Sequence, residues 1–164
     1  MANKIRKQDS VIHYIKTIAE FNSSEVQTRK QDGKTDSEGK KFLPDVVAVS
    51  HNSNEKRIFE VEKTVNNNTV YKSLMSLLTA LMEKDCQYAY LVVPDNKIEF
   101  AEGCLKNLVR IIRRFSKISK GAHPKIKISI VGFSCISEDF KKIETYQKQG
   151  RIGRPPKCRY MLKY

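Results

Sequence analysis

Acidic residues stand beside apolar residues at two places in the first half of the chain. Pro44-Asp45 lies near the start of one apolar run, and Glu60-Val61-Glu62-Lys63 ends the next. Carboxylates are poor residues for strand interiors, and they repel one another at close range. A divalent cation would neutralise such a group. The two runs therefore predict a metal site carried on neighbouring strands.

The two apolar runs have the composition of a β-hairpin. Residues 42–50 and 57–64 are rich in valine, isoleucine and phenylalanine, and the polar segment 51–56 joins them. Side chains alternate along a strand, so Glu60 and Glu62 share one face and Lys63 lies on the other. Magnesium takes oxygen ligands and keeps several waters, one of which can attack a phosphodiester. The hairpin therefore predicts Mg²⁺-dependent phosphodiester hydrolysis, with Asp45 on the preceding strand as a further ligand.

Helices and further strands must hold this hairpin in place. Apolar residues at helical spacing predict a helix at 11–21 capped by Asp9-Ser10, and further helices at 70–84, 96–118 and 137–148. Shorter apolar or alternating runs predict strands at 25–31, 87–93 and 125–131. A second Pro-Asp pair, Pro94-Asp95, ends a strand and is expected to start a helix. The order predicts an α/β fold, a mixed β-sheet with helices on two faces.

These residues resemble the PD-(D/E)XK nuclease superfamily, whose motif is an Asp at a strand start and a D/E-x-K on the next strand. Pro44-Asp45 matches the first half, and Glu60-Val61-Glu62 matches the second with glutamate in place of lysine, a variant also seen among type II restriction enzymes. The resemblance implies a restriction-endonuclease-like fold with an αβββαβ core and DNA cleavage. It implies Asp45 and Glu60 as Mg²⁺ ligands, Glu62 as ligand or general base, and Lys63 as a secondary catalytic candidate.

The size of the chain is similar to that of small cleavage subunits of heterodimeric type IIS restriction endonucleases. At 164 residues it is long enough for one domain, expected at 1–149, followed by a basic tail at 150–164. One active site cuts one strand, so double-strand cleavage implies a homodimer or a larger recognition and cleavage subunit. A Holliday-junction resolvase or a phage-type nuclease is an alternative of the same class.

The charge of the chain indicates a polyanionic partner. Lys and Arg total 31 against 18 Asp and Glu, a net charge of +13, which favours double-stranded DNA through counterion release. Five cations fall within about 100° of arc on the third predicted helix, and we expect them to contact phosphates: Lys106, Arg110, Arg113, Arg114 and Lys117. A solvated face, a membrane-surface helix or a partner-binding helix would have the same pattern.

The basic tail offers a second set of candidate DNA contacts. Arg151, Arg154 and Lys157 lie in a Gly-Arg-Pro segment that resembles an AT-hook, which lies extended in the narrow minor groove. An ordinary basic turn before a final strand at 158–164 fits the same residues. A non-catalytic DNA-binding accessory protein, in which the acids are only surface groups, is therefore the alternative of another class.

Several other kinds of site are not indicated. The cysteines (Cys86, Cys104, Cys135 and Cys158) contain no CxxC pair, and the histidines (His13, His51 and His123) lack metal-binding spacing. No run approaches the roughly 18 apolar residues that span a bilayer, and the N-terminus lacks the apolar core of a signal peptide. We therefore expect a cytoplasmic protein of a prokaryote or a phage, with no membrane partner.

Overall fold

The structure is a computed structural model that describes residues 7–28, 44–83, 86–118 and 126–157. The side chains at positions 7, 8 and 116–118 are outside this description. Helices and strands alternate in the order α1 (Lys7–Phe21), β1 (Ser24–Thr28), β2 (Val46–Ser50), β3 (Lys56–Val61), α2 (Asn67–Met82), β4 (Tyr88–Val93), α3 (Ile98–Ile118), β5 (Ile128–Gly132) and α4 (Phe133–Lys148), with a short 3-10 turn at Asp95–Lys97 before α3.

The strands form one mixed five-stranded sheet in the order β1-β2-β3-β4-β5. The first three strands are an antiparallel meander, in which β2 and β3 form the predicted hairpin. The strands β3, β4 and β5 are parallel, and α2 and α3 are the crossovers between them. The predicted α/β class and the αβββαβ order of elements are confirmed.

Two layers of helices cover the two faces of the sheet. On one face, α1 and α4 pack over Val46, Phe59 and Val61. On the other face, α2 and α3 pack over Ile58 and Leu91. Because neighbouring strand residues face opposite sides, each of the central strands β3 and β4 contributes side chains to both cores. The strand β4, which is buried on both faces, is a continuous apolar run.

The ends of three elements differ from the sequence prediction. The helix α1 begins at Lys7, so Asp9 lies in its first turn and is not its cap. The strand β3 ends at Val61, before Glu62. The helix α4 begins at Phe133, four residues before the predicted start. Its first turn is held by Asp95, whose Oδ1 accepts hydrogen bonds from the amide of Ser134 at 3.1 Å and from its hydroxyl at 2.6 Å.

The helix α3 is longer than the sheet that it covers. Its 21 residues span about 31 Å, whereas the six residues of β4 span about 20 Å. The apolar side of α3 is therefore covered by the sheet only in part. Leu108 is buried, but Ile111 is 47% exposed and Phe115 is 68% exposed.

Some predictions fall outside the described residues. These are the end of the first predicted strand at 29–31, the loop at 32–41 and the final strand at 158–164. Among the helices of the described part, none has the length and apolar character needed to cross a membrane.

Candidate active site at the acidic end of the sheet

The hairpin register brings Asp45 and Glu60 together. Val46 pairs with Phe59, and continuing that register by one residue sets Asp45 opposite Glu60. Both side chains are buried, each only 7% exposed. Asp45 is also tied to β3, because the amide of Val61 donates a hydrogen bond to Asp45 Oδ2 at 2.9 Å. We call this end of the sheet, with Asp45, Glu60 and Glu62, the acidic end.

The three acids lie on the face that α2 and α3 cover. Glu60 alternates with Phe59 and Val61, which belong to the core of the opposite face. Glu62 follows the last residue of β3, and its amide still bonds to the carbonyl of Val92 in β4 at 2.9 Å. Its side chain accepts a hydrogen bond from the hydroxyl of Ser73 in α2. The predicted alternation of the two glutamates is therefore confirmed, although Glu62 lies just beyond the strand.

The environment of Glu62 favours its neutral form. Burial raises the pKa of this carboxyl above its ordinary value of 4.5, and the charge of Asp45 raises it further. The hydrogen bond from Ser73 and the charge of Lys72 act in the opposite direction without cancelling the increase in pKa.

Lys63 does not join the acids. It is exposed, two residues beyond the end of β3, and the lysine whose charge acts on Glu62 is Lys72 of α2. The helix α2 thus supplies two side chains, Ser73 and Lys72, that sequence reasoning did not assign to the site. One signal was present in the sequence, since Ser73 is a polar residue within the apolar stripe of Val70, Leu74 and Leu77, and it is only 5% exposed.

The donor set of the acidic end suits a hard cation, because all three side chains offer carboxylate oxygens. Within the ranges that the structure describes, no three His, Cys, Asp or Glu side chains are already grouped as a metal site. Magnesium does not need such a group, since one or two carboxylates, waters and substrate phosphates commonly complete its octahedron. The residues at hand therefore fit Mg²⁺ through Asp45 and Glu60.

The predicted cationic stripe of α3 is on the surface. Lys106, Arg110, Arg113 and Arg114 are all exposed. Lys117 lies in the last turn of α3, and its side chain is outside the described part. The stripe belongs to the helical layer that packs on the same face of the sheet as the acids. Because α3 begins at the acidic end, where β4 ends, Arg110 lies about 18 Å along the helix from that end.

The predicted tail contacts lie on the other side of the sheet. Arg151, Arg154 and Lys157 are exposed, and their segment borders a cleft with the ends of α1 and α4. Gly150, Arg151 and Gly153 have φ values of 67°, 60° and 93°. These left-handed residues turn the chain after α4, before Arg154. The AT-hook resemblance stays a prediction, and the final strand of the turn interpretation lies outside the described residues.

Comparisons with protein-family models, with curated proteins and with solved structures found no match to this chain.

Proposed function

We propose that this chain is a Mg²⁺-dependent DNA endonuclease of the PD-(D/E)XK type, related to type II restriction endonucleases or their cleavage subunits. Asp45 and Glu60 are the proposed metal ligands, and Glu62 is the proposed third member of the site. The observation that carries the proposal is the pairing of Asp45 with Glu60, both buried, where β2 begins and β3 ends.

Burial is what separates this pair from ordinary surface acids. Two carboxylates that are each 7% exposed and lie across one hairpin repel each other in a medium that screens poorly. A bound divalent cation converts that repulsion into attraction and supplies a Lewis acid for the phosphate. Asp45 is held in place by the amide of Val61, which fixes the carboxylate relative to β3.

Glu62 has the chemistry of a general base for the attacking water. A carboxylate whose pKa is raised binds a proton more readily than an ordinary glutamate, and its efficiency as a base increases accordingly. Its side chain lies on the same face as Glu60 and is held by Ser73. Lys63 has no such support, because it is exposed and lies beyond the strand.

DNA is the proposed substrate because α3, which packs on the same face of the sheet as the acids, carries a stripe of exposed cations. Arg110, Arg113 and Arg114 offer guanidinium groups suited to phosphate. A single set of carboxylates cuts one strand, so cleavage of both strands requires a second copy of the chain or a larger catalytic subunit. We include such a partner in the proposal.

A non-catalytic DNA-binding protein is the second candidate. It is favoured by the exposed cations of α3, which can contact phosphates without any part for the acids. In that case the exposed arginines of α3 would bind DNA, and the buried acids would have no part in chemistry. The two candidates differ in one respect that can be measured, which is Mg²⁺-dependent strand cleavage.

The deciding experiment is plasmid nicking with Mg²⁺ by the wild-type protein and by Asp45→Asn and Glu60→Gln. We expect each variant to lose at least about 100-fold in nicking rate, because each removes a charge needed by the metal. The variants should still bind DNA in a gel-shift assay. Asp45→Asn is preferred to Asp45→Ala because an amide oxygen can still accept the bond from Val61.

A matched control is Glu25→Gln, which removes one carboxylate at the opposite end of the sheet, where Glu25 is exposed on β1. It should nick as the wild type does. Wild-type protein that binds DNA but never nicks it, with Mg²⁺ and with any second subunit encoded beside it, would favour the accessory protein. Full nicking by Glu60→Gln would remove the acidic end from the mechanism.

A further inference from the structure

The hydroxyl of Ser73 is a buried polar group with one partner at the acidic end. It lies on the side of α2 that faces the sheet, among the apolar residues Val70, Leu74 and Leu77, and it is 5% exposed. Its hydroxyl donates to Glu62 Oε1. A serine at a core-facing position adds little apolar contact, so its main interaction is this hydrogen bond.

That bond restricts the orientation of Glu62. The side chain of a glutamate has three rotatable bonds, and Glu62 lies past the last strand residue, where the sheet no longer fixes it. The donor from α2 holds Oε1, while Oε2 accepts no hydrogen bond from the described part of the chain. One oxygen is thus anchored and the other is available to a ligand.

The helix is itself firmly placed. Asn66 caps α2 through a reciprocal pair of hydrogen bonds with Thr69, the amide of Thr69 to Asn66 at 3.0 Å and the amide of Asn66 to Thr69 at 3.1 Å. The side chains of Val70 and Leu77, one turn before and one turn after Ser73, are fully buried. The donor therefore comes from a rigid element.

We propose that Ser73 is a positioning residue that orients Glu62 toward the divalent cation bound by Asp45 and Glu60. This inference rests on the proposed function, because it assigns to Glu62 a place beside that cation. Ser73 touches neither metal nor substrate and acts only through Glu62. Removing such an outer partner of a metal-facing carboxylate commonly costs 10–100-fold in metal affinity.

The test measures Mn²⁺ binding and Mn²⁺-dependent nicking in parallel. Binding is measured as the loss of the electron paramagnetic resonance signal of free Mn²⁺. Ser73→Ala should weaken Mn²⁺ binding by about tenfold. In the Glu62→Gln background the same substitution should have no further effect, because Ser73 then has no carboxylate to orient. The control is Thr79→Ala, which removes another hydroxyl of α2 that donates only to the carbonyl of Met75, at 2.9 Å.

The outcomes separate this inference from the proposed function. Wild-type protein that neither binds Mn²⁺ nor nicks DNA contradicts the proposed function itself. Wild-type protein that does both, while Ser73→Ala keeps full Mn²⁺ affinity, overturns only the role of Ser73. A Ser73→Ala variant that merely unfolds at a lower temperature overturns that role too, as does a tenfold loss that persists in the Glu62→Gln background.

Discussion

Besides its proposed role as a metal ligand, Asp45 is a hydrogen-bond acceptor within the fold. Its Oδ2 accepts the amide of Val61, which lies beyond the last paired residues of β2 and β3, and its other oxygen is the one that we assign to the cation. Leaving a buried amide without an acceptor costs about 1–3 kcal/mol. An Asp45→Ala variant would therefore lose both stability and metal binding. Asp45→Asn removes the charge but keeps an acceptor for the amide of Val61, so it tests metal binding alone.

The raised pKa of Glu62 predicts a pH-dependent gain in stability for Glu62→Gln in the absence of divalent cations. Burial, and then the charge of Asp45, make the ionised form less favourable in the folded state than in the unfolded chain. The folded protein thus holds the proton more tightly, and wild type loses stability as pH rises from the ordinary value of 4.5 through the folded pKa. Urea unfolding at a series of pH values measures this.

In that series, Glu62→Gln should be relatively more stable above the folded pKa than below 4.5. The exposed acid Glu25 supplies the control, since Glu25→Gln should follow wild type at both ends of the range. An advantage of Glu62→Gln that grows toward acid pH would contradict the assigned direction of the pKa shift.

At the scale of elements, the start of α4 depends on a residue 39 positions away. Asp95, in the turn after β4, accepts both the amide and the hydroxyl of Ser134. Gly132 leaves room for this contact, because a Cβ there would collide with the Asp95 carboxylate and would lie 2.8 Å from Cδ1 of Ile98. The carboxylate thus caps one helix while lying at the entrance to another.

We predict that Gly132→Ala destabilises the protein by about 1–3 kcal/mol, the usual cost of overpacking. The added methyl group must displace the Asp95 carboxylate, and the first turn of α4 then loses an acceptor. Chemical denaturation provides the measurement. Gly103→Ala is a matched control, because a Cβ at Gly103 meets nothing within 4 Å and alanine favours helix. Equal stability of the two variants would contradict the proposed packing.

These elements show what local sequence can and cannot predict. The order of helices and strands followed from apolar periodicity, and the hairpin followed from two apolar runs around a polar segment. The sequence prediction placed the start of α4 at Ser137, whereas the helix begins at Phe133. Local sequence could not predict this start, because the first turn is held by a tertiary contact with Asp95. Periodicity gives the apolar side of α3 but not the length of the sheet beneath it, so the exposure of Phe115 was unforeseen.

The same limit applies to the site. Alternation along β3 predicted that Glu60 and Glu62 share a face, and the hairpin predicted that Asp45 lies near them. The bond from Ser73 and the charge of Lys72 depend on where α2 crosses β3, and this is decided by packing. The lysine nearest in sequence, Lys63, is therefore not the one whose charge acts on Glu62.

At the scale of the whole molecule, the sheet separates two cationic surfaces. The arginines of α3 belong to the helical layer on the face that carries the acids, whereas the lysines of α4 lie on the opposite face. We expect DNA to bind the first surface, because it lies on the face of the sheet that carries Asp45 and Glu60. If DNA were attracted only by the net charge of the protein, removing two charges from either surface would weaken binding equally. Removing the same charge from each surface in turn therefore distinguishes direct binding from general attraction.

We predict that Arg110→Gln with Arg114→Gln weakens DNA binding and reduces the dependence of log affinity on log salt concentration by about 2, since each phosphate that the protein neutralises contributes about 0.9 to that slope. Lys141→Gln with Lys148→Gln removes the same charge from exposed positions on α4 and should change the salt dependence much less. Fluorescence anisotropy over a range of salt concentrations measures both. Equal reductions in the two double variants would mean that no defined surface binds DNA.

We propose that Asp45 and Glu60 hold a divalent cation where β2 begins and β3 ends. The most direct test of this proposal is a crystal structure of the protein with Mn²⁺, using the anomalous signal of the metal to locate it. We predict an anomalous peak about 2.0–2.3 Å from a carboxylate oxygen of each residue, and no peak at that place in Glu60→Gln. A protein that nicks DNA with Mn²⁺ but binds the ion elsewhere would contradict the account.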